Sequence, residues 1–348
     1  MTAAAFAIPG DINQPTGGYT YDRRVLALLP HHGVSAQHVQ LPGSFEDPSA
    51  ADLLEAERQL TSVAPGTVLL IDGLAYGTMP AELIRRIPAP IAALVHHPLY
   101  REAGLSQTRQ SELYTLERAA LALASRVITT SRTTARTLVA DFAVPERLIA
   151  VAEPGTDPAP RARGTQAPIQ LLAVGTVVPR KAYDILVRAL GSLKDYDWRL
   201  IIVGLTDRSA EALANLQAAI STTGLGDRIA LAGHLRADEL GNVYASADVF
   251  LMPSLYEGYG MVLAEAMARG LPIVCTTGGA AAETVPDDAA IKVPPGDERA
   301  LTLAVQRVLD QPGLRRRLAD ASWAAGQKLP RWEDTARTIA GVIKELAA

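Results

Sequence analysis

Two glutamates, Glu257 and Glu265, stand eight positions apart, and Gly258, Tyr259 and Gly260 follow the first of them directly. Glycines at Gly258 and Gly260 let the backbone approach a ligand with no Cβ in the way. The residues after them, Leu263-Ala264-Glu265-Ala266-Met267-Ala268-Arg269, are strong helix formers, and Gly270 stops them. A helix opening here directs free N–H groups and the positive end of its dipole at the turn, which suits a phosphate. Carboxylates accept hydrogen bonds from hydroxyls, so one glutamate beside such a site suits a sugar and the other a ribose. The same letters also describe an ordinary strand-to-helix turn with two solvated glutamates.

Three other places carry residues able to do chemistry. Arg180-Lys181 follows the apolar run Ile169–Gly175. Two cations after a parallel strand can neutralise a diphosphate leaving group, although a solvated charge pair is the commoner fate of Arg-Lys. His96-His97-Pro98 ends the run Ile91–Val95, and ligand groups of open α/β sheets gather at the carboxyl ends of strands. A histidine pair also raises the question of a metal, but both histidines share one turn and no third ligand accompanies them, so no metal site is expected. Gly17-Gly18 precedes a helix and again suits close approach to an anion. There it competes with an ordinary βα loop.

The elements that must position these groups alternate strand and helix. Ala4–Pro9, Gln37–Leu41, Thr67–Asp72, Ile91–Val95 and Arg126–Thr130 read as strands, with helices near 21–29, 50–57, 112–124 and from Ser131 onward. Continuous apolar runs such as Thr67–Asp72 are typical of buried parallel strands. Pro158–Pro168 is rich in proline and polar residues and reads as an interdomain linker. Beyond it, strands are expected at 169–175, 198–204, 228–233, 249–253 and 273–276, again separated by helices, with amphipathic helices at 300–309, 314–324 and 332–346. This is the pattern of βαβ units and an α/β fold.

Composition narrows the classes. The chain has 348 residues, room for two ordinary domains, and its 48% apolar content can build full cores. The formal net charge of −4 argues against a nucleic-acid binder. Residues 1–160 hold 12 arginines, no lysine and 16 acidic residues, with no basic helix for anionic lipid. Cys275, the single cysteine, sits in an apolar run as a core residue and excludes an internal disulfide. The opening residues lack the charged start of a signal peptide, and no apolar run reaches spanning length. The cytoplasm is the expected compartment.

The segment from Pro253-Ser254 through Glu257-Gly258-Tyr259-Gly260 to Glu265-Ala266-Met267-Ala268-Arg269-Gly270-Leu271-Pro272 closely resembles the E-x₇-E region of retaining glycosyltransferases, family 4 of the GT-B type. The resemblance spans nearly the whole chain and is sharper after Pro168. It implies two Rossmann-like domains facing across a cleft. These are an acceptor-side domain at 1–157, a linker at 158–168, a donor-binding domain at 169–330, and a last helix at 331–348 crossing back to the first domain. In that family the first glutamate contacts the donor sugar and the second the ribose, roles carried to Glu257 and Glu265. The resemblance gives Gly18, then Gly17, a place against the donor diphosphate. It places His96, then His97, near donor sugar and acceptor. Lys181 matches a basic position of the family and Arg180 could supply a second cation. Many members have Arg where this chain has Thr176, and Gly where it has Ala182, the latter expected to be a minor change. Gly258, Tyr259, Gly260, Met261 and Val262 complete the donor loop. Gly233 and His234 would face the base, and Gly279 and Glu283 lie in a further glycine-rich loop of familiar pattern.

The implied reaction is glycosyl transfer with retention, without metal or other cofactor, from a nucleotide-sugar donor, UDP first and GDP second, to an acceptor the residues do not name. Two alternatives stay open. One is a sugar-nucleotide hydrolase or epimerase on the same fold. The other is a nucleotide-binding or partner-binding pseudoenzyme, motivated by Thr176.

Overall fold

The computed structural model describes every residue except Gln166, which lies inside the stretch read as a linker. The chain divides into two compact units, Met1–Gly155 with Pro330–Ala348, and Thr156–Leu329.

The first unit begins with β1 (Thr2–Pro9), α1 (Gly17–Leu28), β2 (Val34–Leu41), α2 (Ala50–Thr61) and β3 (Val68–Asp72). Two short helices, α3 (Gly73–Tyr76) and α4 (Ala81–Arg85), lead to β4 (Ile91–Val95), α5 (Gln107–Leu121), β5 (Arg126–Thr129), α6 (Arg132–Phe142) and β6 (Ile149–Val151). All six strands are parallel, in the order β2-β1-β3-β4-β5-β6. β3 and β4 are buried at every position, as expected of strands covered on both faces. The helices start where a side chain can satisfy their first amides. Thr16, Ser49, Ser106 and Ser131 each accept from the backbone three residues on.

The second unit runs β7 (Ile169–Val174), α7 (Tyr183–Gly191), β8 (Trp198–Val203), α8 (Ala210–Thr223), β9 (Ile229–Gly233), α9 (Ala237–Ser246) and β10 (Val249–Met252). It continues with α10 (Met261–Ala268), β11 (Ile273–Thr276), α11 (Ala281–Thr284), β12 (Ala290–Val293), α12 (Glu298–Asp310) and α13 (Pro312–Gly326). Its sheet is also parallel throughout, ordered β12-β11-β10-β7-β8-β9. The proline-rich stretch before β7 is tied to this unit. Ala162 donates to the Arg269 carbonyl, Arg163 to that of Ala245, and the Thr165 amide to Asp248.

The last helix, α14 (Trp332–Ala347), packs in the first unit against α1 and the sheet. Trp332, Ala336, Ile339, Ala340 and Ile343 form its buried stripe, at the spacing of one helical face. Gly155 lets the helix start dock: a Cβ there would lie 2.2 Å from the Trp332 nitrogen. Among the described residues no helix is long and apolar enough to cross a membrane.

Each sheet has one place where the winding reverses, between β1 and β3 in the first unit and between β7 and β10 in the second. Loops leaving neighbouring strands at such a point part to opposite faces and leave a crevice at the carboxyl ends.

Candidate active site

In the second unit, the loops after β7 and β10 meet at that crevice. The chain after β7 makes a 3-10 turn over Pro179–Lys181. The chain after β10 runs through Ser254 to Gly260, the residue that caps α10. The two are laced together: Leu255 donates to the Arg180 carbonyl at 2.8 Å, and Arg180 Nη1 donates to the Tyr256 carbonyl at 2.9 Å. Lys181 Nζ donates to Glu257 Oε1 at 2.7 Å, and Arg180 Nη1 lies 3.4 Å from Glu257 Oε2. Both Lys181 and Glu257 are buried. Burial alone would raise the Glu257 carboxyl. The charges of Lys181 and Arg180 and the hydrogen bond from Lys181 overcome it and hold the group at about 2. Glu257 is therefore ionised, and its charge is matched before any ligand arrives.

The glycines around Glu257 have a geometric reason. Gly260 caps α10 at φ 89°, a left-handed conformation that disfavours any side chain. Gly279, at φ 62°, pairs with Glu257, whose carbonyl accepts from the Ala280 amide at 2.8 Å. A Cβ on Gly279 would lie 2.3 Å from the Glu257 carbonyl oxygen. Gly279 thus backs the Glu257 loop.

Ala182 caps the start of α7 at φ 50°. The replacement of the expected glycine there is not minor, because a residue with a Cβ is strained in this region. The Tyr259 ring is buried in the core, and its carbonyl accepts from the Thr284 hydroxyl at 2.6 Å. Met261 and Val262 form the first positions of α10 and pack partly against the same core. Gly258 lies in the loop between Glu257 and Tyr259, and Thr176 is half-buried two residues after β7.

Glu265 sits in α10, half-buried, and its Oε2 accepts from the Tyr244 hydroxyl at 2.8 Å. Burial raises its carboxyl, against the pull of Tyr244 and Arg269. Gly233 ends the edge strand β9, its carbonyl taken by the Gly204 amide, and His234 after it is exposed. Glu283 is exposed on α11. The structure does not bring His234 or Glu283 into contact with Glu257. One Asp-x-Asp spacing exists, Asp195-Tyr196-Asp197, exposed ahead of β8 at the amino ends of the strands, away from the crevice.

In the first unit, His96 lies just past β4 and gathers two carboxylates that the sequence reading missed. Its Nε2 is 3.3 Å from Asp22 Oδ1 and 3.2 Å from Asp72 Oδ2. Asp22 comes from α1 and Asp72 from the end of β3, the two sides of the β1/β3 reversal. Both acids are buried, and the Asp22 oxygens make no well-aligned hydrogen bond among the described residues. Burial and the neighbouring Asp72 raise the Asp22 carboxyl to about 7, against the opposing pull of His96. Burial would lower the imidazole, but Asp22 and Asp72 together raise it to about 10. The three ligand atoms lie within 4.8 Å of one another, a set able to share a proton or hold a small cation.

Tyr21 stands edge-on to the His96 ring, and Thr130 Oγ1 donates to the His96 carbonyl at 2.9 Å. That bond occupies one lone pair of the carbonyl. Gly17 and Gly18 open α1 after the Thr16 cap, and a Cβ on Gly18 would stand 3.7 Å from the His96 ring. His97 does not join this group; its Nε2 lies 3.1 Å from Glu102. The missed acids left a faint trace in the sequence. Asp22 falls on the buried face of α1 beside Tyr21 and Val25, and Asp72 closes an otherwise apolar strand.

Known proteins resemble this chain in sequence and in fold. Residues 160–323 match the family model described as glycosyl transferases group 1. The chain is 28% identical over 283 residues to the MMP alpha-(1->4)-mannosyltransferase of Mycolicibacterium hassiacum, covering 76% of this chain and 67% of that one. Its fold is similar to that of sucrose-phosphate synthase from Thermosynechococcus elongatus, with a TM-score of 0.83, 22% identity and 99% of each chain covered. It is also similar to HepE of Anabaena, solved in complex with UDP-glucose, with a TM-score of 0.76, 18% identity, and 98% of this chain and 99% of that one covered. The two sheets are those of the GT-B fold. Over residues 160–323 the second unit thus matches the glycosyl transferases of group 1.

Proposed function

We propose that this chain is a retaining, family 4 glycosyltransferase that moves a hexosyl group from a nucleotide-sugar donor to a hydroxyl of its acceptor. The observation that carries the reading is the buried Lys181–Glu257–Arg180 group beside the start of α10. In the transfer, the bond from the anomeric carbon to the donor diphosphate breaks, a bond to the acceptor oxygen forms, and the acceptor hydroxyl proton passes to the departing diphosphate oxygen. The departing diphosphate gains negative charge. Lys181, Arg180 and the amides opening α10 are the groups that meet it, so the step is metal-independent in this reading. Glu257 holds sugar hydroxyls, Glu265 the ribose, and His96 in the first unit serves the sugar and acceptor. Gly17 and Gly18 lie against the diphosphate.

A UDP-sugar is the favoured donor and a GDP-sugar the second choice. The UDP-glucose complex of the similar fold HepE supports the first. Use of such a donor, together with the single buried cysteine, fits a cytoplasmic setting. The second unit binds the donor in this reading and the first the acceptor.

The test is thermal melting against UDP, GDP, ADP and CMP, with Glu265→Ala alongside. A nucleotide at about 100 times its Kd stabilises by about 2.7 kcal/mol. A shift with UDP that the variant loses supports the donor site. No shift with any nucleotide would overturn the reading.

A further inference from the structure

Glu265 does not stand alone in α10. Its Oε2 accepts the hydroxyl hydrogen bond of Tyr244 at 2.8 Å, and Tyr244 is fully buried in α9. The Tyr244 ring packs against two neighbours. It stacks on Phe250 of β10, with centroids 5.9 Å apart, and the Arg269 guanidinium lies 4.5 Å from its centroid. Arg269 in turn donates to the Glu265 carbonyl at 3.1 Å. A phenol this confined can donate in one direction only. Glu265 Oε1 has no hydrogen bond among the described residues.

We propose that Tyr244 is the positioning residue of the nucleotide half of the donor site. By taking Glu265 Oε2, it turns Oε1 toward a ribose hydroxyl and sets the preference for a ribonucleotide over a deoxyribonucleotide. The proposal rests on Glu265 contacting ribose. A carboxylate whose second oxygen is fixed in place accepts from a hydroxyl at one angle. A nucleotide without that hydroxyl leaves a half-buried acceptor without its partner, and buried acceptors left unmatched are costly.

The test is isothermal titration of the full chain with UDP and with 2′,3′-dideoxy-UDP, for the parent, Glu265→Ala and Tyr244→Phe. Phenylalanine keeps the ring against Phe250 and Arg269 and removes only the donor. The parent is expected to prefer UDP by at least about tenfold, the size of one hydrogen bond to a charged acceptor. Tyr244→Phe should cut that ratio to about threefold or less by weakening UDP while leaving dideoxy-UDP within about twofold. A purely structural role for Tyr244 would weaken both nucleotides alike and leave the ratio intact. If Glu265→Ala loses the preference and Tyr244→Phe keeps it, the positioning role is overturned and the ribose contact stands. If the parent shows no preference, or Glu265→Ala keeps it, the ribose contact itself falls and the positioning role falls with it.

Discussion

Replacing Lys181 by methionine removes a charge and keeps most of the side chain's volume. The structure gives the size of the effect. Glu257 is held at about 2 where an unperturbed glutamate stands at 4.5. At about 1.36 kcal/mol per tenfold change, this is about 3 kcal/mol of stability at neutral pH. Lys181 supplies most of it through the 2.7 Å contact, while Arg180 keeps a weaker hold from 3.4 Å. A buried carboxylate stripped of its nearer partner is the costly case, so Lys181→Met should lose about 2–3 kcal/mol. The loss falls on the second unit, residues 156–329, where it lowers Tm by roughly 5–10 °C.

The sign with pH follows from the depressed carboxyl. Its contribution is present above 4.5 and is lost as pH falls through about 2. The gap between parent and variant is therefore full at neutral pH and closes on acidification, once Glu257 of the variant takes a proton. Thermal melts from pH 7 to pH 4 read this. The double variant Lys181→Met with Glu257→Gln should recover at least about 1 kcal/mol over the single one, because it no longer buries an unmatched charge. Both Lys181→Ala and Glu257→Ala should also slow transfer on the order of 100-fold. A Lys181→Met protein that melts with the parent, or a double variant no better than the single, would refute the reasoning.

Two further outcomes are expected. Ala182→Gly should stabilise by about 0.5–1 kcal/mol, since it relieves a left-handed alanine at the price of some unfolded-state entropy, and melting with unchanged nucleotide affinity checks it. Asp22→Asn should lower the His96 titration from about 10 by more than about one unit, seen in the imidazole proton signals. The His96 contribution to stability is complete below 6.5 and lost as pH rises through about 10, so the Tm of the parent relative to Asp22→Asn should fall between pH 7.5 and 10; a parent His96 titrating below 7 would refute the ion-pair assignment.

Strand after strand was legible because parallel strands buried on both faces are written as unbroken apolar runs, as in Val68–Asp72 and Ile91–Val95. β12 was not, because it is four residues long and Lys292 interrupts it. The Lys292 ammonium escapes burial by reaching the Ala282 carbonyl and Asp287. Helix starts were misread where caps were overlooked. α1 begins at Gly17 under the Thr16 cap, four residues before the expected start, and α5 begins after Ser106, five before it. Backbone angles are not written in a residue name, so the strain at Ala182 could not be seen. Glu257 and Lys181 were each legible from local pattern, but their pairing was not, since 76 positions separate them. The same holds for Asp22 and Asp72, each an ordinary acid until the sheet order puts both against His96.

The two groups share one topological origin and carry opposite charge. In each unit the reversal of strand order gathers side chains from loops that leave neighbouring strands. In the second unit this yields two cations, Arg180 and Lys181, on one carboxylate, Glu257. In the first it yields two carboxylates, Asp22 and Asp72, on one imidazole, His96. The surplus positive charge of the second group suits an anion such as a diphosphate. The carboxylates of the first, with Asp22 raised to about 7, accept hydrogen bonds from hydroxyls. The absence of lysine from the first 160 residues is consistent with that division.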